Sequence, residues 1–344
     1  MNLDVLIPSL LLPAQIHASF PPPHVPTLER LLARADRNTE ITAAGSSWLC
    51  DRWGIAAPYA MARVLAEFDG LDVSDDGWLF AEPVHLIANR SRLTMFPIGY
   101  LDVSAAETTE LISALNLHFS DRHLQFFSPV SALGPQRWYV RCAPSEVPET
   151  TSISAARTGS LADFQPKSKG SLDWRSLQNE AQMLFFGHPV NERREMEGKP
   201  PISGVWFWGG GVLSELKKPP YERVMSISPL ATQLARKTNI DVHPITWDSI
   251  QSTQGSALAV FETCAPLARD LNFSAWAREL ERLDRDWFLP MSQALGKGTI
   301  ERLSFHVPGA EETRSFHLTR RNLLLRFWRT AGPLSSYAGH ASYA

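Results

Sequence analysis

Ala257-Leu258-Ala259-Val260-Phe261 is an unbroken apolar run. It is too short for a helix and lacks polar alternation, the pattern of a strand buried on both faces. Near the start of the chain Leu3-Asp4-Val5-Leu6-Ile7 reads the same way. Helical spacing follows each run. Pro26-Thr27 opens a segment with Leu28, Leu31, Leu32 and Ala35 on one face, and Ser274 to Trp287 aligns Trp276, Leu280, Leu283 and Trp287. Leu230 to Arg236 supplies another helix. Apolar strands alternating with amphipathic helices predict an α/β protein built on a doubly wound, mostly parallel sheet.

The middle of the chain breaks this rhythm. Ala57 to Phe68 has helical spacing, Gly70 to Gly77 is a turn, and Trp78-Leu79-Phe80 reads as a strand. Gly99 to Val103 is a further expected strand, and Ser104-Ala105-Ala106-Glu107 has the form of a capping box ahead of Leu111, Ile112 and Leu115. Arg137 to Arg141 alternates as a strand, Pro144 to Lys169 is polar and loop-like, and a helix spans Asp173 to Gly187. Val205-Trp206-Phe207-Trp208 is again fully apolar and closes on Gly209-Gly210-Gly211. The expected organisation is a discontinuous core, 1–82 with 206–331, an inserted α+β cap at 83–205, and a loosely held tail at 332–344.

The 344 residues carry 33 Lys plus Arg and 36 Asp plus Glu, a formal charge of −3. That balance predicts neither a nucleic-acid nor a membrane partner. Cys50, Cys142 and Cys264 show no paired spacing, and Met1 to Leu12 carries Asp4, no Lys or Arg, and an interrupting Pro8. The expectation is therefore a cytoplasmic chain without disulfides, without a metal and without a cofactor.

The densest polar chemistry lies at His188-Pro189-Val190-Asn191-Glu192-Arg193-Arg194, followed by Gly198, Pro200-Pro201 and the tryptophan-rich run. His188, Asn191, Arg193 and Arg194, with the backbone of Gly209, Gly210 and Gly211, are the candidates for holding a small anionic ligand at the junction of core and cap. The structural alternative stays open: His188 caps a helix and the arginines pair with neighbouring glutamates. An arginine that serves an anion needs an uncommitted guanidinium facing a cleft. Ser46 is the only candidate nucleophile, with no GxSxG elbow around it. A protein partner bound through exposed Trp and Pro surfaces is a third reading.

The run from His188 to Gly211 resembles bacterial RpfE-type regulatory proteins, as do Glu82-Pro83-Val84-His85-Leu86, Trp138-Tyr139-Val140-Arg141 and Arg326-Phe327-Trp328-Arg329. More distantly, the chain resembles the archaeal-type cofactor-independent phosphoglycerate mutases of the alkaline phosphatase superfamily. Val5-Leu6-Ile7 stands at their first core strand, Pro26 to Leu31 at their first helix, and Ser46 where their nucleophilic serine is expected. Ser104 to Asn116 resembles a helix of their inserted domain, and Tyr221 to Thr238 a later core unit. The resemblance implies an alkaline-phosphatase-like fold with an inserted cap.

The departures fall on the chemistry. Those mutases carry an aspartate-rich turn after the first strand, because two divalent metals need clustered carboxylates; here the residues are Pro8-Ser9-Leu10-Leu11-Leu12. Glu262, Asp270 and His306 remain as scattered metal-ligand candidates. The expectation is a pseudoenzyme, regulatory or ligand-binding, with a divergent mutase or phosphatase as the alternative.

Overall fold

The computed structural model describes residues 1–17, 20–40, 45–57, 59–74, 76–88, 93–97, 99, 101–130, 136–151, 164–211, 213, 215–309 and 312–338. The chain divides into two compact units, Met1–Trp53 with Lys217–Ala344, and Gly54–Leu216. In chain order the strands are β1 (Asn2–Leu6), β2 (Asp36–Glu40), β3 (Gly77–Ala88), β4 (Leu93–Pro97), β5 (Gln125–Phe127), β6 (Tyr139–Cys142), β7 (Gly204–Trp208), β8 (Arg223–Ser226), β9 (Asp241–His243), β10 (Ser256–Val260), β11 (Arg302–Pro308) and β12 (Thr313–Thr319).

The first unit holds a sheet in the order β2-β12-β11-β1-β10-β8-β9. Strands β11, β1, β10, β8 and β9 run parallel, and β12 and β2 close one side antiparallel. Leu3 lies opposite Ala257 and Leu303, and Leu6 opposite Val260 and His306. Because strand side chains alternate, Leu3 and Val5 point to one face and Asp4 to the other. The Leu3 face packs on Leu28, Leu31 and Leu32 of helix Pro26–Arg34 and on Trp276, Leu280 and Leu283 of helix Phe273–Leu283, all of them buried. Each fully buried leucine contributes roughly 1.5–3 kcal/mol relative to exposure.

Helix Pro26–Arg34 has no capping side chain of its own. Its first free amides donate instead to Asp284, Leu28 N to Oδ1 at 2.6 Å and Thr27 N to Oδ2 at 3.2 Å. Asp284 opens a π-helical turn, Asp284–Phe288, which ends the helix expected to run on to Trp287. The carboxylate offsets the positive helix terminus as well as its unpaired donors. The expected loose tail is corrected over its described part. Leu334, Tyr337 and Ala338 are buried, and Arg314 donates to the Tyr337 carbonyl at 2.7 Å; 339–344 lie outside the described residues.

The second unit is antiparallel, in the order β4-β3-β6-β5 with β7 paired to β3. Trp206–Trp208 therefore continues this sheet and does not resume the parallel one, and Trp78–Phe80 lies here too, so the junctions fall near 53 and 217 and not at 82 and 206. The cause is physical. Val205 and Phe207 face one apolar cluster and Trp206 another with Val84 and Met95. A strand covered on both faces has the same composition whichever sheet it joins.

The strand expected at Gly99 to Val103 is β4 instead, and Leu101-Asp102-Val103 is irregular, with Asp102 at φ +44°. Residues 98 and 100 lie outside the described residues. The Ser104 capping box forms as expected, and Asp173 caps helix Trp174–Phe186. Of the expected loop from Pro144 to Lys169, 152–163 lie outside the described residues, and Glu149 bridges Lys167 across its ends. No described helix is long and apolar enough to cross a membrane.

Candidate functional site

The His188 cluster belongs wholly to the second unit. His188 caps helix Pro189–Met196, its Nδ1 accepting from Val190 N at 3.2 Å. Burial pushes its pKa down, which favours the neutral ring that such an acceptor requires. Asn191 is buried. Its amide donates to the carbonyls of Phe185 at 2.7 Å and Ile202 at 2.9 Å and accepts from Ile202 N at 2.8 Å.

Arg194 is 0% exposed. It donates to Glu107 at 2.9 Å, to the Pro200 carbonyl at 2.8 Å and to the Leu101 carbonyl. Glu107 also closes the Ser104 capping box. Burial works against its carboxylate, but the Ser104 amide and the Arg194 guanidinium together hold its pKa below the ordinary value. Arg193 pairs with Glu110 at 2.7 Å on the surface.

The glycines are packed, not open. A Cβ on Gly209, at φ +73°, would lie 2.6 Å from the Phe80 ring, and one on Gly210 would lie 2.9 Å from Val147. The cleft beside the cluster, about 850 Å³, is lined in part by Glu192, Glu195 and Lys199. Lys199, the one cation in that lining, is drawn to Glu197 at 2.8 Å. The requirement for an uncommitted arginine is not met, and the geometry is that of a brace joining two helices to the loop after β4.

The other candidates come from the first unit, at the carboxyl ends of its parallel strands, where open α/β sheets bind ligands. Past β1 the chain runs Ile7-Pro8-Ser9, with Ser9 at φ +60° and its carbonyl accepting from Trp276 Nε1 at 2.8 Å. Gly45 opens helix Gly45–Arg52 against this turn, since a Cβ there would meet Pro8 at 2.6 Å and Pro308 at 3.9 Å. Ser46, half-buried, thus stands beside the ends of β1 and β11.

Past β10, Glu262 is half-buried and hydrogen-bonded to Ser228, the residue before helix Pro229–Lys237. Burial raises its carboxyl pKa. A raised folded pKa contributes stability that is complete below the unfolded value and is lost as pH rises through the folded one. Glu262→Gln should therefore raise the melting temperature at pH 8, and the gain should vanish below about pH 4, beneath ordinary glutamate values. Thermal unfolding at both pH values checks this, and a gain of equal size at both would refute it.

His306 is 1% exposed. Its Nδ1 lies 2.8 Å from Ser315 Oγ, its Nε2 3.8 Å from Asp4 Oδ1, and its ring 4.7 Å from that of Trp48. Tyr221 donates to Asp4 Oδ2 at 2.9 Å, and His317 meets Ser304 Oγ at 3.0 Å. Burial opposes the Asp4 charge, yet His306, Tyr221 and Ser304 together hold its pKa below the ordinary value. Sequence reasoning missed this network; its one signal was an aspartate inside an apolar strand. Ser315 is fully buried, so the Asp4-His306-Ser315 line ties β12 and β11 to β1.

Asp270 sits apart on the surface, paired with Arg269 at 3.0 Å. Among the described residues no group of three His, Cys, Asp or Glu side chains can hold a metal ion. Glu262, Asp270 and His306 are not brought together into one. Burial pushes each of the Cys50, Cys142 and Cys264 thiols up to about 12, so none is a ready thiolate.

No family model matches the chain. It is 31% identical over 129 residues to a probable 2,3-bisphosphoglycerate-independent phosphoglycerate mutase of Geobacter sulfurreducens, covering 37% of this chain and 31% of that one. It is 29% identical over 149 residues to the second such mutase of Methanothermobacter thermautotrophicus, covering 42% and 34%. The chain thus spans about a third of the length of these curated relatives, to which it is distantly homologous. The solved PH0037 protein of Pyrococcus horikoshii overlays 92% of this chain and 87% of its own with a TM-score of 0.53 at 14% identity, a likeness of fold. The mixed α/β fold and this homology agree with the alkaline-phosphatase-like class read from the sequence.

Proposed function

We propose that the chain is a non-catalytic regulatory or ligand-binding protein of the RpfE type on a phosphoglycerate-mutase-like fold, acting in the cytoplasm. One observation carries the reading: the turn after β1 is Ile7-Pro8-Ser9-Leu10, with Leu10 fully buried, and the nearest acid on that strand, Asp4, is spent on Tyr221 and His306. Two divalent cations bring a charge that clustered carboxylates must neutralise, and these residues do not fit such a pair. Glu262, past β10, is a single carboxyl hydrogen-bonded to Ser228 and set against its charged form by burial.

The test is elemental analysis of protein purified with manganese or zinc, together with a coupled assay for interconversion of 3- and 2-phosphoglycerate. The expected result is no tightly held pair of ions and no turnover above a metal-only blank. Two ions per chain, or turnover, would overturn the reading. A small anion at 100 times its dissociation constant should still stabilise the fold by about 2.7 kcal/mol, which thermal shift with phosphate and 3-phosphoglycerate would reveal.

A second reading, a phosphate-ester enzyme, rests on Ser46 beside the ends of β1 and β11. It requires hydrolysis of p-nitrophenyl phosphate that disappears in Ser46→Ala.

A further inference from the structure

The net charge of −3 conceals a local run of opposite sign. Arg320-Arg321-Asn322-Leu323-Leu324-Leu325-Arg326-Phe327-Trp328-Arg329 holds four arginines and no acid. Helix Arg320–Leu325 buries Leu323 against the first unit and turns the next apolar side chains outward. Leu324 and Leu325 are 54% and 52% exposed, Phe327 and Trp328 73% and 65%, and the last two rings meet edge to face at 5.5 Å.

Exposed single hydrophobics are ordinary, but four within five positions, flanked by guanidiniums, are not. Arg326 is anchored by Asp36 at 2.7 Å and by the Arg34 carbonyl, which fixes the segment to the fold. Arg320 and Arg321 are exposed and make no ion pair among the described residues. Beneath the tip an open cleft of about 640 Å³ is lined by Trp328, Arg329, Arg37 and Tyr337.

We propose that this segment docks the protein on an anionic bilayer surface, with Leu324, Leu325, Phe327 and Trp328 entering the boundary between headgroups and acyl chains and Arg320 and Arg321 meeting lipid phosphates. Charge complementarity selects the occupant, because Asp36 is spent on Arg326 while the exposed Arg320 and Arg321 make no ion pair among the described residues and seek phosphate, and tryptophan favours the headgroup depth. Size argues the same way. A stable protein interface needs about 800 Å² of shaped surface per partner, whereas interfacial insertion needs only a short apolar tip among cations. The inference is independent of the reading of the strand ends.

Vesicle co-sedimentation of the full chain tests it, with phosphatidylcholine vesicles compared with vesicles containing roughly a third phosphatidylglycerol. Wild-type protein should sediment with the anionic vesicles, and high salt should release it. Arg320→Gln with Arg321→Gln should weaken binding about thirtyfold, and Phe327→Ala with Trp328→Ala by about tenfold or more. All four side chains are exposed, and an unchanged melting temperature confirms that each variant is folded. Wild-type protein that ignores anionic vesicles, binds both compositions equally, or binds as tightly after either substitution would overturn the proposal. So would capture by polyglutamate without capture by vesicles, which would assign the segment to an acidic protein.

Discussion

Arg194→Ala should lower the unfolding free energy of the second unit by about 3–5 kcal/mol, because it strips the partner from a buried ion pair. The guanidinium is fully enclosed and serves three acceptors on separate segments: Glu107, the Pro200 carbonyl and the Leu101 carbonyl. Without it the buried Leu101 carbonyl and the half-buried Pro200 carbonyl lose a donor, and the Glu107 carboxylate keeps only the Ser104 capping contacts. Arg193→Ala is the internal control, since its ion pair with Glu110 lies in solvent. Urea titration should separate the two variants, with the Arg193 midpoint unmoved. A small loss at Arg194, or equal losses at both positions, would show that the cluster is not a brace.

Asp69→Ala is the second large effect, at about 3 kcal/mol. Asp69 is 1% exposed and accepts a forked pair from Arg137, Nη2 at 2.6 Å and Nε at 2.8 Å, and the Tyr139 hydroxyl at 2.6 Å. Burial pushes the Tyr139 pKa far up, with the Asp69 charge and hydrogen bond adding to it, so the phenol stays a donor throughout the working range. Removal of the carboxylate takes this ion-pair acceptor from Arg137 and the acceptor from the Tyr139 hydroxyl, leaving the bond between the two at 3.1 Å. Two compact units make a single global transition unsafe to assume. Hydrogen exchange at the β3 and β6 amides is therefore the measurement, and unchanged protection there would contradict the assignment.

The strongest local signals were legible in the sequence. Ser104 to Glu107 reads as a capping box and forms one; the runs at Leu3 and Ala257 pair directly, in register, among the parallel strands at the centre of the sheet. These features are local or have a period, and both survive without knowledge of distant partners. The affiliation of Val205–Trp208 was not legible, because a strand with both faces covered looks alike in either sheet. The role of Arg194 was undecidable for a related reason: its acceptors include two backbone carbonyls, and carbonyls leave no trace in residue identity. The network of Asp4, His306, Ser315 and Tyr221 was missed because only the sheet's register aligns residues so far apart in the chain.

The cap on helix Pro26–Arg34 also sets a timetable for synthesis. Its acceptor, Asp284, emerges 256 positions after Leu28, and both neighbours of β1 in the sheet, β10 and β11, emerge comparably late. At roughly 5–20 residues per second this is a wait of about 13–50 s on the ribosome. Throughout it an apolar strand has neither edge paired and a helix start has no acceptor. The unit Gly54–Leu216 is contiguous and finishes in the interval, so the strand and helix made before it are completed only after it.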